Sequence, residues 1–385
     1  MAKDSPSLRG QTTLGIWRSC RAPLALYLAA SAVFVLAEAA IFRSGFYAAY
    51  LEPLSIAGTF EQALRDELHR QRIAPREILV LGDSRIGEGF SAPLANRTVA
   101  GSGFAFVNVA VPGTMPRAWY YMLRDLDADA SRYFAVILPV DDYDDEDGLE
   151  DMADRELDLR NVIARLRLSD IWDFARSYNT VHERFEVARN SLFKGFVYKQ
   201  DAQAFLEHPV TRLRDVRRHR MHGFEWRESY PGRPQSLTGL SIDWRKMTMT
   251  FPPDLPADQR AALMAILLRP VASQTGAHAA YRRLWFGRII ERDRRSATRI
   301  VFVRIPRAPI PRPDWLVHKL SSSIRELGAR PHVLLLDEDT FDDLERPEVF
   351  FDGLHLNAAG RERFSVSLAQ YVTRRLRAVA EVAGD

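Results

Sequence analysis

Five short apolar runs, set apart by helix-forming stretches and mostly closed by Gly or Pro, constrain this 385-residue chain more than anything else in it. They are Glu77–Gly82, Phe106–Val111 (followed by Pro112 and Gly113), Tyr133–Leu138 (followed by Pro139), Thr298–Ile305 and His332–Leu336. Short runs rich in Val, Ile, Leu and Phe and bounded by turn residues read as buried strands. Between the second and third lies Arg117–Asp129, helical in composition, and an amphipathic helix follows Asn357. Apolar strands alternating with helices predict an α/β fold whose parallel sheet is covered on both faces.

The alternation lapses after the third run. Residues 144–297 are rich in Arg, Asp and Glu, with helical stretches at Glu156–Arg176, Pro256–Leu268 and His278–Arg295 around a loop-like section, Met221–Pro256. One α/β domain, 76–143 and 298–385, is therefore expected to carry a mainly helical insertion, 144–297. Upstream, Ala22–Phe42 is apolar apart from Glu38. At about 1.5 Å per residue it is long enough to cross a hydrocarbon core of about 30 Å. Lys3, Arg9, Arg18 and Arg21 precede it against one acid, Asp4. Positive charge stays inside, so the expectation is a cytoplasmic tail (1–21), a transmembrane anchor (22–42), a helical connector (43–75) and a translocated remainder. The connector carries the amphipathic stretch Phe60–Arg72. A cleaved signal peptide is the rival, because Ala37-Glu38-Ala39 has the small-x-small pattern of a cleavage site. A buried helix of a soluble protein is the other alternative.

With 53 basic and 50 acidic residues the net charge is +3, too small an excess to imply a nucleic-acid partner. Cys20 is the only cysteine, so no intrachain disulfide can form; it reads as structural filler at the inner edge of the anchor.

Three chemical pieces fall at the C-terminal ends of predicted strands, where open α/β sheets place their sites. Gly82-Asp83-Ser84 follows the first run. A serine on a tight strand-to-helix turn exposes its hydroxyl and points its own N–H toward the site. Gly113 follows the second run; a glycine there brings a backbone N–H close to a substrate oxygen. Asp352-Gly-Leu-His355 follows the fifth. An acid three residues before a histidine can hold one imidazole nitrogen and leave the other for Ser84. Each piece alone is common; their order and strand-end placement carry the weight.

Ile78-Leu-Val-Leu-Gly-Asp-Ser-Arg85 resembles the first block of the SGNH/GDSL hydrolases, and Asn108-Val-Ala-Val-Pro-Gly113 their glycine block. Phe351-Asp-Gly-Leu-His-Leu-Asn-Ala-Ala-Gly360 is similar to their last block and is the most specific match. The resemblance covers residues 76–142 and 298–376. It implies a flavodoxin-like, doubly wound, five-stranded parallel sheet. It also implies Ser84 as nucleophile, His355 as general base and acid, Asp352 as its orienting acid, and the N–H groups of Ser84 and Gly113 as an oxyanion hole. No cofactor or metal is implied.

One block departs. Where the family presents G-x-N-D, this chain has Pro139-Val-Asp-Asp142, which puts Asp141 in the place of an oxyanion-donating amide. A bare carboxylate about 4 Å from an oxyanion costs about 4 kcal/mol at an effective dielectric of 20. Asp141 is therefore turned away, protonated, or a mark of an impaired site. The acidic run Asp141–Glu150 fails the EF-hand template and reads as a solvated loop. Trp226, Tyr230 and Trp244 read as anchors of the insertion or as sugar-stacking rings. Arg212–Arg220 reads as a solvated helix face or as a contact for anionic lipid or glycan.

The expected function is an envelope-facing serine acyltransferase or esterase acting on a cell-surface polysaccharide. The anchored SGNH domain resembles proteins that work beside multi-span membrane-bound O-acyltransferases, which implies the bacterial cytoplasmic membrane with the catalytic domain outside. The alternatives are a free-standing lipase or esterase and a non-catalytic SGNH scaffold.

Overall fold

Side chains along a strand point alternately to opposite faces, and the five apolar runs fill both faces with hydrophobic residues. The computed structural model describes residues 12–145, 156–223, 229–269, 276–316 and 321–383. Strands β1 (Arg76–Val80), β2 (Phe104–Asn108) and β3 (Ala135–Val140) precede a separate antiparallel hairpin, β4 (Ser241–Asp243) and β5 (Thr248–Thr250). Strands β6 (Arg299–Arg304) and β7 (Val333–Leu335) complete a five-stranded parallel sheet in the order β2-β1-β3-β6-β7. Leu79, Val107, Val136, Leu138 and Phe302 face one hydrophobic core, and Ile78, Val80, Phe106, Ile137 and Val301 face another. In this strand order the chain leaves β1 in opposite directions to reach β2 and β3. The crevice beyond the carboxyl ends of β1 and β3 is thus the topological switch point.

The second run leaves the sheet earlier than its composition suggests. Val109–Val111 stay extended and donate back to the carbonyls beyond β1, Val109 N to Val80 O at 3.1 Å and Val111 N to Gly82 O at 2.9 Å. Helix Ile56–His69, capped by Ser55 accepting from Gly58 N at 3.0 Å, buries Phe60, Ala63 and Leu64 completely. It covers the sheet and is no loose tether. Helix Ala277–Asp293 does the same from within the insertion: Trp285, Phe286, Ile289 and Ile290 are buried, and Phe286 meets Phe302 of β6 edge-on at 5.0 Å. The stretch Glu156–Arg176 breaks into Glu156–Val162 and Ile171–Arg176, because the chain turns between them to bury Leu166.

Among the described residues, the most deeply buried ion pair between the insertion and the rest of the chain is made by Arg117. Arg117, in helix Pro116–Leu126, is fully buried and paired with Asp158 at 3.2 Å. Its guanidinium lies 4.0 Å from the centroid of Tyr178 and 5.1 Å from that of Tyr281.

At the N-terminus, helix Thr12–Ala37 continues through a π-helical turn, Glu38–Arg43. The segment Pro23–Arg43 is long and apolar enough to cross a membrane, with mean hydropathy 2.1 and only 6% of its apolar window buried against protein.

Candidate active site

The turn after β1 is built around a conformation few residues tolerate. Gly82 has φ +155°, and a Cβ there would lie 2.6 Å from the Cβ of Ile86. Asp83 caps the short helix Ser84–Gly89 by accepting from Arg85 N at 2.9 Å. Ser84 therefore sits at the first helical position, half-buried, at the mouth of the crevice.

The loop after β7 delivers the other two groups. Oδ1 of Asp352 accepts from the N–H groups of Leu354 and His355, each at 2.8 Å. Phe351 N donates to His355 O at 3.1 Å, closing the turn. The same carboxylate meets His355 Nδ1 at 2.9 Å, and His355 Nε2 lies 2.8 Å from Ser84 Oγ. Ser84 and His355, 271 residues apart in the chain, form with Asp352 one continuous hydrogen-bonded relay. Phe351 stacks on the imidazole at 5.6 Å with planes 14° apart, and Arg233 of the insertion covers Phe351 at 4.9 Å.

Electrostatics favour a strong base. Burial alone would lower the His355 pKa, but the hydrogen bond and charge of Asp352, reinforced by Glu88 and Asp83, outweigh it and raise it above 6.5. Burial likewise opposes ionisation of Asp352, yet His355 and the two amides hold its carboxyl below the ordinary range.

Gly113 lies in the loop after β2 with φ +68°, and a Cβ there would stand 2.8 Å from Leu157 Cδ2. That loop is tied to the Ser84 turn through Gly82 O, which accepts from Val111 N and from Thr114 Oγ1, both at 2.9 Å. The amides of Ser84 and Gly113 thus belong to two loops bound at one carbonyl.

Asp141 is not a bare carboxylate. Its Oδ1 is ion-paired with Arg85, which also pairs with Asp83 at 3.0 Å. Burial disfavours the Arg85 charge, but these two acids raise its pKa above the ordinary value. Arg85 was legible only in hindsight: a cation directly after the nucleophile, with acids before it and at the third block, is a charge-balance signal. The acidic run departs from a solvated loop over its described part. Asp145 is fully buried, accepts from Ser323 N at 2.8 Å and lies 3.4 Å from Arg282. Residues 146–150 lie outside the described residues, among which no cluster of acids, His and Cys fits a metal.

Two cavities flank the strand ends. One, of about 40 Å³, is lined by Arg85, Met115, Trp119, Asp141 and His278. The other, of about 320 Å³, is lined by Arg233, Gln259, Leu263, Phe351 and Asp352. Tyr230 anchors the insertion beside the second, donating to Glu88 at 2.9 Å, while Trp244 is half-buried in the β4–β5 turn. Trp226 lies outside the described residues. Arg212 is buried against Asp201 at 3.0 Å, whereas Arg214, Arg217 and Arg218 are exposed. No protein-family model matches this chain, and no curated protein is significantly similar to it.

Proposed function

We propose that this protein is an SGNH-type serine acyltransferase or esterase, anchored in the bacterial cytoplasmic membrane, that moves a short acyl group to or from a cell-surface polysaccharide. The observation that carries the reading is the unbroken relay from Asp352 through His355 to Ser84 Oγ. In the first half-reaction His355 Nε2 takes the Ser84 proton as Oγ attacks the donor carbonyl. The tetrahedral oxyanion is met by the N–H groups of Ser84 and Gly113, and its collapse expels the donor's leaving group, protonated by His355. A sugar hydroxyl, or water, then gives its proton to His355, attacks the acyl-enzyme and releases Ser84.

Pairing of Asp141 with Arg85 supports this reading, since it removes the unopposed charge that would work against the oxyanion. The apolar segment Pro23–Arg43 supports single-pass anchoring, and the basic residues Lys3, Arg9, Arg18 and Arg21 before it support a catalytic domain outside, where a multi-span O-acyltransferase is the natural donor partner.

A fluorophosphonate probe tests the chemistry. Wild-type protein is expected to label covalently and Ser84→Ala is not; folded wild type that resists the probe refutes the reading in favour of a scaffold. Acetyl content of surface glycan in cells carrying Ser84→Ala separates transfer, which predicts less acetylation, from hydrolysis, which predicts more.

A further inference from the structure

Three consecutive helices of the insertion are bound to the root of the apolar N-terminal helix. Glu38, buried, accepts from the N–H groups of Lys194 at 2.6 Å and Gly195 at 3.0 Å, where helix Lys194–Glu207 begins. Arg43 donates to the carbonyls of Ser191 and Leu192 at the end of helix Val181–Leu192. Phe34, deeper in the apolar segment, has its ring 5.4 Å from that of Phe193 and 6.1 Å from that of Phe196. Helix Pro209–His222 lies along the next stretch of chain, with Arg212 donating to Tyr50 O at 3.1 Å.

These contacts fix a level. Phe34 precedes Arg43 by nine residues, roughly 13.5 Å along a helix axis, which is less than the ~15 Å half-thickness of a hydrocarbon core. If Pro23–Arg43 spans a membrane, Phe193 and Phe196, packed on Phe34, lie at the level of the outer acyl chains. On the same three helices Phe185 is 66% exposed, Phe196 50%, and Leu206 and Val210 78% each. Large apolar side chains in such number are a poor surface for water and a good one for lipid. Exposed Arg214, Arg217 and Arg218 stand on the last of the three.

We infer that helices Val181–Leu192, Lys194–Glu207 and Pro209–His222 form a membrane-docking surface, with Phe185, Phe196, Leu206 and Val210 in the outer leaflet and Arg214, Arg217 and Arg218 on anionic lipid headgroups. The inference rests on the reading of Pro23–Arg43 as a membrane span. It makes the catalytic domain a body held against the bilayer at one orientation, where a flexible tether would let it swing.

The test uses the full chain, with Cys20→Ser, in vesicles of phosphatidylcholine and phosphatidylglycerol. Spin labels are attached through Leu28→Cys, Phe185→Cys, Val210→Cys or the exposed control Asp254→Cys, one per sample. Collision with oxygen relative to a water-soluble nickel chelate reports lipid exposure. Labels at 185 and 210 are expected to match the label at 28, with ratios about tenfold above that at 254. Water-like values at 185 and 210 with a lipid-like value at 28 overturn the docking surface and leave the anchor standing. A water-like value at 28 overturns both. Combining Arg214→Glu, Arg217→Glu and Arg218→Glu with the label at 210 is expected to lower its ratio several-fold in the anionic vesicles and leave it unchanged in pure phosphatidylcholine. An equal ratio with and without the triple substitution in the anionic vesicles overturns the headgroup contact.

Discussion

Two histidines near the strand ends, His355 and His278, have opposite fates. His355 is held between Asp352 and Ser84, and the carboxylate raises its pKa against the effect of burial. His278 lines the small cavity beside Arg85 and Asp141, yet its Nδ1 has no hydrogen-bond partner among the described residues. Burial, with the positive charge of Arg282 added, pushes its pKa down to about 4. Burial makes an imidazole reluctant to take a proton; a carboxylate in contact with its far nitrogen reverses that. A crevice can therefore hold two histidines and only one base.

Removing the carboxylate breaks the contrast most strongly. Asp352→Asn leaves the turn's two amides an acceptor but strips the charge and the tautomer preference from His355. Fluorophosphonate labelling is expected to slow by about 10⁴-fold, the size of loss seen when such an acid is neutralised. The pH profile checks the cause. The base must be neutral, so wild-type labelling rises with pH through a value above 6.5. In Asp352→Asn that acid limb moves to lower pH, and an unmoved limb assigns it to another group.

A smaller effect follows from the ion pair beside the nucleophile. Arg85→Ala leaves Asp83 and Asp141 without their cation, and an unopposed carboxylate near the oxyanion predicts a loss of about 10²-fold in labelling rate. Adding Asp141→Asn is expected to recover most of it. Equal rates in the single and double variants would detach Asp141 from the chemistry.

The smallest effect belongs to His278. His278→Gln is expected to change the labelling rate by less than about twofold, since the relay does not include it. Its signature lies in stability. Between its folded pKa of about 4 and its unfolded value of 6.5, the unfolded chain binds a proton that the native chain excludes, so acid favours unfolding. The variant should lose less Tm than the wild type as the pH falls from 6.5 to 4; a tenfold loss of activity at constant Tm would make His278 a participant.

What the sequence discloses follows the physics of each signal. Strands β1, β3 and β6 are short, apolar and buried on both faces, so composition alone locates them to within two residues. The relay was legible because each member lies within a few residues of a strand end, where topology brings distant segments together. Arg85 leaves no local pattern, because its ion pair joins the turn after β1 to the turn after β3, and only the balance of charge between those two turns points to it. Helix Ala277–Asp293 is legible as the stretch His278–Arg295, but the same limit hides its packing: it shares the charged composition of the insertion while Trp285 and Phe286 are buried and Phe286 meets Phe302 of β6. The β4–β5 hairpin was missed for lack of length: three residues per strand give no readable alternation.

Arg117 has a consequence for how this chain can change. Its charge is neutralised by Asp158 of the insertion and enclosed by Tyr178 and Tyr281, also of the insertion, while Arg117 itself begins the helix that follows the Gly113 loop. Replacing Asp158 alone, as in Asp158→Ala, would leave the guanidinium buried among those rings without its carboxylate, at a cost of several kcal/mol. A change at Asp158 must therefore be matched by one at Arg117, so that the helix after the Gly113 loop and the insertion can vary at this contact only together.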